Sequence, residues 1–248
     1  MLERPSSEEF SHAESERDKI VAGERGDLGF DYYLAAAEQN LRDTSRTAKG
    51  VIDTSASADK AGKMQEGLSE SEIAKTAQRN FREAITMLFE QRNQQFANAG
   101  ELRAFVEGIA LLINRGVTKE GVLIRDGEDS KKYAYTSVAR LEPAMVQFYD
   151  TLLEKVSNSD SDPVETAGFV EYRMNLTDHF FADGCGKTSK ALSAWTLMRS
   201  NHALPTFQGL LEWQAALKMY GPRQQRGLDP TVDEEQFARW MEFYRARF

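Results

Sequence analysis

Apolar residues recur at helical spacing through most of the chain after residue 69. Ser69 and Glu72 stand at the two positions of a capping box, and Ile73, Ala77, Phe81, Ile85, Leu88 and Phe89 follow. They predict a helix over 70–96. Leu102, Phe105, Val106, Ile109 and Leu112 predict a second over 101–113, and Met145, Phe148, Tyr149, Leu152 and Leu153 a third over 141–156. Asp162, Pro163 and Glu165 occupy N-cap, N1 and N3 of a fourth, which runs through Val164, Ala167, Val170, Met174 and Leu176 to Phe181. A fifth covers 187–201 with Leu192, Trp195 and Met198. A sixth covers 207–219 around Leu210, Leu211 and Leu217, and a last one after Thr231 carries Phe237, Trp240, Met241 and Tyr244. Two runs, 121–124 and 133–136, are strand-like instead and flank a polar turn containing Asp126-Gly127, which predicts a β-hairpin. The pattern is that of a mostly α protein with one short hairpin.

The first 68 residues differ. Residues 1–27 are charged and Ser-rich, 32–41 carry enough Ala, Leu and Tyr for one short helix, and 42–68 turn to Thr, Ser, Ala, Gly and Lys. This divides the chain into a polar extension, 1–68, and a helical domain, 69–248. A hydrophobic fraction of 41% with 14 Phe, 8 Tyr and 3 Trp supports a full core. The net charge of −8 lacks the basic footprint of nonspecific nucleic-acid binding. A single cysteine rules out an internal disulfide framework, and no apolar run approaches the ~20 residues of a membrane span. With no signal-peptide core, the expectation is a soluble cytoplasmic protein without a membrane partner; an effector exported without a cleaved leader has the same appearance.

Candidate chemistry is concentrated in residues 179–190, His-Phe-Phe-Ala-Asp-Gly-Cys-Gly-Lys-Thr-Ser-Lys, a loop between two predicted helices. Gly184-Cys185-Gly186 at the mouth of a helix lets backbone N–H groups converge on an anion. Lys187 and Lys190, three residues apart, are expected to project toward that anion. Asp183 can hold a magnesium ion, which takes one or two carboxylates plus phosphate oxygens. His179 stands where a base can take a proton from an incoming hydroxyl. Gly186-Lys187-Thr188 ends like a Walker A loop, but its first glycine falls on Phe181 and no strand precedes it.

The stretch resembles the signature of the Fic (Fido) family, His-Pro-Phe-x-Asp/Glu-Gly-Asn-Gly-Arg-x-x-Arg. His179, Phe181, Asp183, Gly184 and Gly186 match in identity and spacing, whereas Phe180 replaces Pro, Cys185 replaces Asn, and Lys187 and Lys190 replace the arginines. The resemblance extends over most of residues 103–207. It implies a Fic-like helical domain with a hairpin flap at 121–136, which would hold a Ser, Thr or Tyr of a target protein by strand addition. It implies transfer of AMP or another phosphate-containing group from ATP or another nucleotide, with His179 as base and Asp183 on Mg2+. The Gly184, Cys185 and Gly186 amides and Lys187 would then hold the donor phosphates, with Lys190 at the distal phosphate.

Other readings stay open beside it. Cys185 could be a thiolate nucleophile with its pKa lowered by the helix N-terminus and His179 as its base. A noncatalytic Fic-fold protein could use the hairpin only to bind a partner, and a surface hairpin could have no partner at all. Gly62-Lys63-Met64-Gln65-Glu66-Gly67 is similar to the family's inhibitory Ser/Thr-x-x-x-Glu-Gly motif, with Gly62 where that motif has a hydroxyl; the same residues also read as a linker. His202 reads as structural, and His12 supports no role.

Overall fold

The computed structural model describes residues 27–44, 67, 69–119, 123–126, 135–220 and 234–248. Its α-helices are α1 (Phe30–Thr44), α2 (Glu70–Glu90), α3 (Ala99–Asn114), α4 (Val138–Ser157), α5 (Pro163–Glu171), α6 (Cys185–Arg199), α7 (Leu210–Tyr220) and α8 (Glu234–Arg245). A π-helical segment, Tyr172–Thr177, continues directly from α5.

Helix α6 is the axis of the fold, enclosed by α1, α2, α3, α5 and the π segment. Thirteen of its fifteen residues are buried. Trp195 lies at 0% exposure, with its ring 6.0 Å from Phe96 and 5.4 Å from Phe105. A helix with no solvent face must find partners for its polar groups inside the protein, and in α6 Ser193 and Thr196 do so. Ser193 Oγ is 2.8 Å from the Tyr244 hydroxyl, and Thr196 Oγ1 donates to the Ser193 carbonyl at 2.8 Å.

The capping box at Ser69 and Glu72 forms as the sequence predicts, but α2 ends at Glu90, short of Phe96. Phe96 instead folds back onto Phe105 and Trp195. The fourth predicted helix also stops early, since α5 ends at Glu171, the turn widens, and His179–Phe181 lie outside any helix. In α7 the apolar seam runs through Trp213 and Ala216, while Leu211 is 84% exposed.

The β-hairpin expected at 121–136 finds no support among the described residues. Among the described residues there is no strand, and the backbone of residues 123–125 and 136 bonds to residues 177–182. Ile124 forms an isolated antiparallel bridge with Phe181. Arg125 N donates to the Phe180 carbonyl at 3.0 Å, Ala182 N to Leu123 at 2.9 Å, and Thr136 N to Thr177 at 3.0 Å. The reason is backbone satisfaction: Phe180 and Phe181 are fully buried, so their peptide groups need partners. Residues 121–122 and 127–134, and the Glu66 motif, lie outside the described residues.

Helix α1 joins the same hydrophobic core as α2–α8, burying Tyr32, Tyr33, Ala37 and Leu41. Tyr33 donates its hydroxyl to the His202 carbonyl at 3.1 Å, and Tyr32 accepts from Leu204 N at 3.0 Å. Among the described residues no helix is long and apolar enough to cross a membrane.

Candidate active site

Asp162 caps α5, its Oδ1 accepting from Val164 N at 2.8 Å, with Pro163 at the first helical position where no N–H is missed. At Gly168 α5 meets α8: Trp240 Nε1 donates to its carbonyl at 2.9 Å, and a Cβ there would collide with Met241. The π segment then widens the turn, with Asp178 N donating to the Arg173 carbonyl at 2.8 Å. The Thr177 hydroxyl is shared between the Tyr172 and Arg173 carbonyls, both at 3.3 Å. Such π turns release the chain from its helical course and occur often at functional sites.

His179 follows with φ 52°, a left-handed conformation rare for a residue with a Cβ. Its half-buried imidazole stacks on Tyr135, ring centroids 4.4 Å apart and planes within 13°. Beneath it, Arg125 is 2% exposed and its Nε donates to the His179 carbonyl at 3.0 Å. Arg125 Nη2 donates to the Asp178 carbonyl at 3.2 Å and to that of Thr136. The Asp178 carboxylate accepts from Arg173 Nε at 2.6 Å and from Thr136 Oγ1 at 2.7 Å. Burial pushes the Asp178 carboxyl up from its ordinary range, against the pull of Arg173 and Thr136.

Asn114, the last residue of α3, anchors the far side of the loop. Its Nδ2 donates to the Asp183 carbonyl at 2.9 Å, and its Oδ1 would stand 2.5 Å from a Cβ on Gly184. With φ 76°, Gly184 takes a left-handed turn that glycine alone accepts without strain, in a space no side chain can share. It is the N-cap of α6 and offers no side-chain cap. The first amides of α6 therefore have no intrahelical acceptor and carry the partial positive end of the helix. At Gly186 a Cβ would meet only Asn175, at 3.6 and 3.9 Å, so space does not demand glycine there. What its bare backbone allows is close approach of a ligand.

Cys185 is 1% exposed and turned inward. Phe181 N donates to its Sγ at 3.0 Å, and the thiol lies 3.3 Å from the Phe181 carbonyl. The sulfur thus closes the loop on both backbone groups of Phe181, a task for which an asparagine amide has the same donor and acceptor. Lys187 Nζ lies 3.6 Å from Asp183 Oδ2, the two side chains 7% and 12% exposed.

Lys190 has different company. Its ammonium is 2.8 Å from Glu171 Oε1, and both side chains are buried. The rings of Trp213 and Phe207 face it, centroids at 3.6 and 4.1 Å. Burial pushes Glu171 up and Lys190 down, and the mutual attraction opposes both. The structure thus gathers His179, Asp183, Gly184, Cys185, Gly186 and Lys187 in one loop and helix mouth, while Lys190 faces α5.

Asn114, Arg125, Tyr135 and Asp178 have no signal of their own in the sequence. The nearest hints are a polar residue ending an apolar helix and an arginine directly after an apolar run. Among the described residues no group of three or more His, Cys, Asp and Glu could form a metal cage. Asp183 alone suits an ion ligated mostly by water and by phosphate oxygens arriving with a donor.

No family model matches the sequence, and no curated protein is significantly similar to it. Solved structures are similar in fold. IbpAFic2 covalently tethered to Cdc42 superposes with a TM-score of 0.58 at 13% identity, over 98% of this chain and 71% of that one. A Fic domain containing signaling protein from Bacteroides thetaiotaomicron gives 0.58 at 14% identity, over 97% of this chain and 91% of its own. IbpAFic2 alone gives 0.55 at 15%, over 98% and 70%. The likeness is one of fold: the chain is built like Fic domains.

Proposed function

We propose that this chain is a Fic-like transferase, moving an AMP-like nucleotidyl or other phosphate-containing group from a nucleotide to a Ser, Thr or Tyr hydroxyl of a protein. The observation that carries the reading is that His179 leaves the π turn just before the mouth of α6 at Gly184–Lys187, which has no side-chain cap, on a Fic-like fold. A protein acceptor is supported by the neighbours, since IbpAFic2 has been solved tethered to Cdc42 and a variant of it with adenylylated Cdc42.

In this reading His179 takes the proton of the incoming hydroxyl as its oxygen bonds to phosphorus, and the bond to the departing phosphate breaks. The first amides of α6 and the Lys187 ammonium neutralise the phosphate oxygens and hold them in line; such chemistry leaves the protein mainly positioning and charge to supply. Asp183 would hold Mg2+, which supplies further neutralising charge when bound. The acceptor would reach His179 past residues 121–136, whose ends frame it at Arg125 and Tyr135. Lys190, paired with Glu171, takes no part unless that pair opens.

That pairing favours a second reading, a noncatalytic Fic-fold module that binds a partner and has lost nucleotide turnover. Incubation with α-labelled ATP, GTP, CTP and UTP in turn, with Mg2+ and a cell lysate, separates the two. The transferase labels an acceptor band from at least one nucleotide. A well-folded protein that labels nothing and shows no Mg2+-dependent nucleotide binding by calorimetry is the module.

A further inference from the structure

Three backbone carbonyls, those of Thr136, Asp178 and His179, converge on one buried guanidinium. They come from two chain segments that also meet in the neighbouring Thr136 N to Thr177 O bond, and without a donor between them their oxygens would repel. An arginine fork is planar with five N–H donors, so it can hold several carbonyls at fixed angles where an ammonium cannot. Arg125 is also tied by its own amide to the Phe180 carbonyl, so it grips the loop on both sides of the His179 peptide. The Asp178 side chain closes the ring, accepting from Thr136 Oγ1 and Arg173 Nε. The residue so held is left-handed, a conformation that persists only where its surroundings impose it. The clamp also fixes Tyr135, next to Thr136, as the stacking face for the imidazole.

We propose that Arg125 is the positioning residue of this site: by clamping the carbonyls of Thr136, Asp178 and His179 it holds His179 left-handed and its imidazole against Tyr135. The proposal rests on the reading of His179 as the base for its catalytic consequence, though not for its geometry. Because Arg125 belongs to the segment past which an acceptor would enter, it ties that segment mechanically to the base.

The test compares the full chain with Arg125→Lys and Arg125→Met, selecting conditions in which each is folded by circular dichroism. The first readout is the His179 imidazole resonance in a 1H–13C spectrum, assigned with His179→Ala and displaced in the wild type by the ring current of Tyr135. The second is the kcat and KM of labelling with the nucleotide found active. Both variants are expected to shift the His179 resonance toward that of an unstacked histidine and to lower kcat about 100-fold with nucleotide KM little changed, as for a small misplacement of a reacting group. Added guanidinium ion is expected to restore part of the rate in Arg125→Met. A folded Arg125→Lys with the wild-type His179 resonance overturns the proposal, and so does an unchanged kcat alongside a shifted resonance. Should neither variant fold, Arg125→Gln keeps a polar side chain there but cannot reach all three carbonyls, and a wild-type His179 resonance in that variant overturns the proposal. If the wild type labels nothing, the transferase reading fails while the resonance still decides the clamp.

Discussion

Gly184 and Cys185 show how closely the loop is specified by single residues. Gly184→Ala places a methyl 2.5 Å from Asn114 Oδ1 at φ 76°. The left-handed strain costs about 1–2 kcal/mol, and displacing Asn114 gives up its bond to Asp183, about 1 kcal/mol more. Urea unfolding should therefore show a loss of about 2–3 kcal/mol, with nucleotide binding weakened as the mouth of α6 shifts. At the next position, Cys185→Ala orphans the buried Phe181 N–H and should cost about 1–3 kcal/mol, whereas Cys185→Asn restores donor and acceptor and should retain stability and activity. With 1% exposure the thiol should resist alkylation in the native protein, and fast modification with parallel loss of labelling would revive the thiolate reading. At this scale His179, Asp183 and Gly184 are legible in the sequence because their relation is local spacing. Asn114 and Arg125 are not, because they act on backbone groups 69 and 54 positions away.

Among the elements, α6 and its partner α5 decide what is available to a ligand. The sequence places Lys187 and Lys190 toward one anion because residues three apart share a helix face. Enclosure changes that expectation, since Glu171 arrives from α5 and the aromatic rings from Phe207 and Trp213. A buried pair of this kind stabilises little, but losing one partner strands the other charge. Lys190→Met alone should cost about 3–5 kcal/mol at neutral pH, while Glu171→Leu with Lys190→Met should be close to neutral or stabilising. The single variant should also change its pH response. Burial already raises the Glu171 carboxyl, and without Lys190 nothing but the Ser189 hydroxyl pulls it back. The native state then keeps a proton that the unfolded state has released, so stability should fall as pH rises from the ordinary glutamate range through the raised value. Thermal melts across pH would check the sign. Leu192, Trp195 and Met198 predict α6 from their spacing, but not its enclosure, because the Ser, Thr and Lys on its other turns read as a solvent face and are buried instead. The change from α5 to the π segment is silent in the pattern, since apolar positions keep recurring through 164–181 and only tertiary partners such as Arg125 turn the chain.

Over the whole molecule, the helical class and the order of elements are legible because most helices keep one apolar stripe. The place of α1 is less so: its composition suits a short helix in a polar extension, yet it covers α2 and α6. A chain starting at Ser69 would uncover the core that Tyr32, Tyr33, Ala37 and Leu41 fill. It is expected to lose cooperative unfolding and to bind a hydrophobic dye, and a truncated chain with the full-length melting curve would refute this. His179, Asp183 and the mouth of α6 follow one another in a fold like that of Fic domains, and the central claim is that this stretch works by proton removal at His179. The most direct measurement is the rate of label transfer by His179→Ala set beside its nucleotide affinity. The account predicts a rate lowered by about two to four orders of magnitude with an unchanged Kd. Transfer at the wild-type rate, with the nucleotide bound equally well, would contradict it.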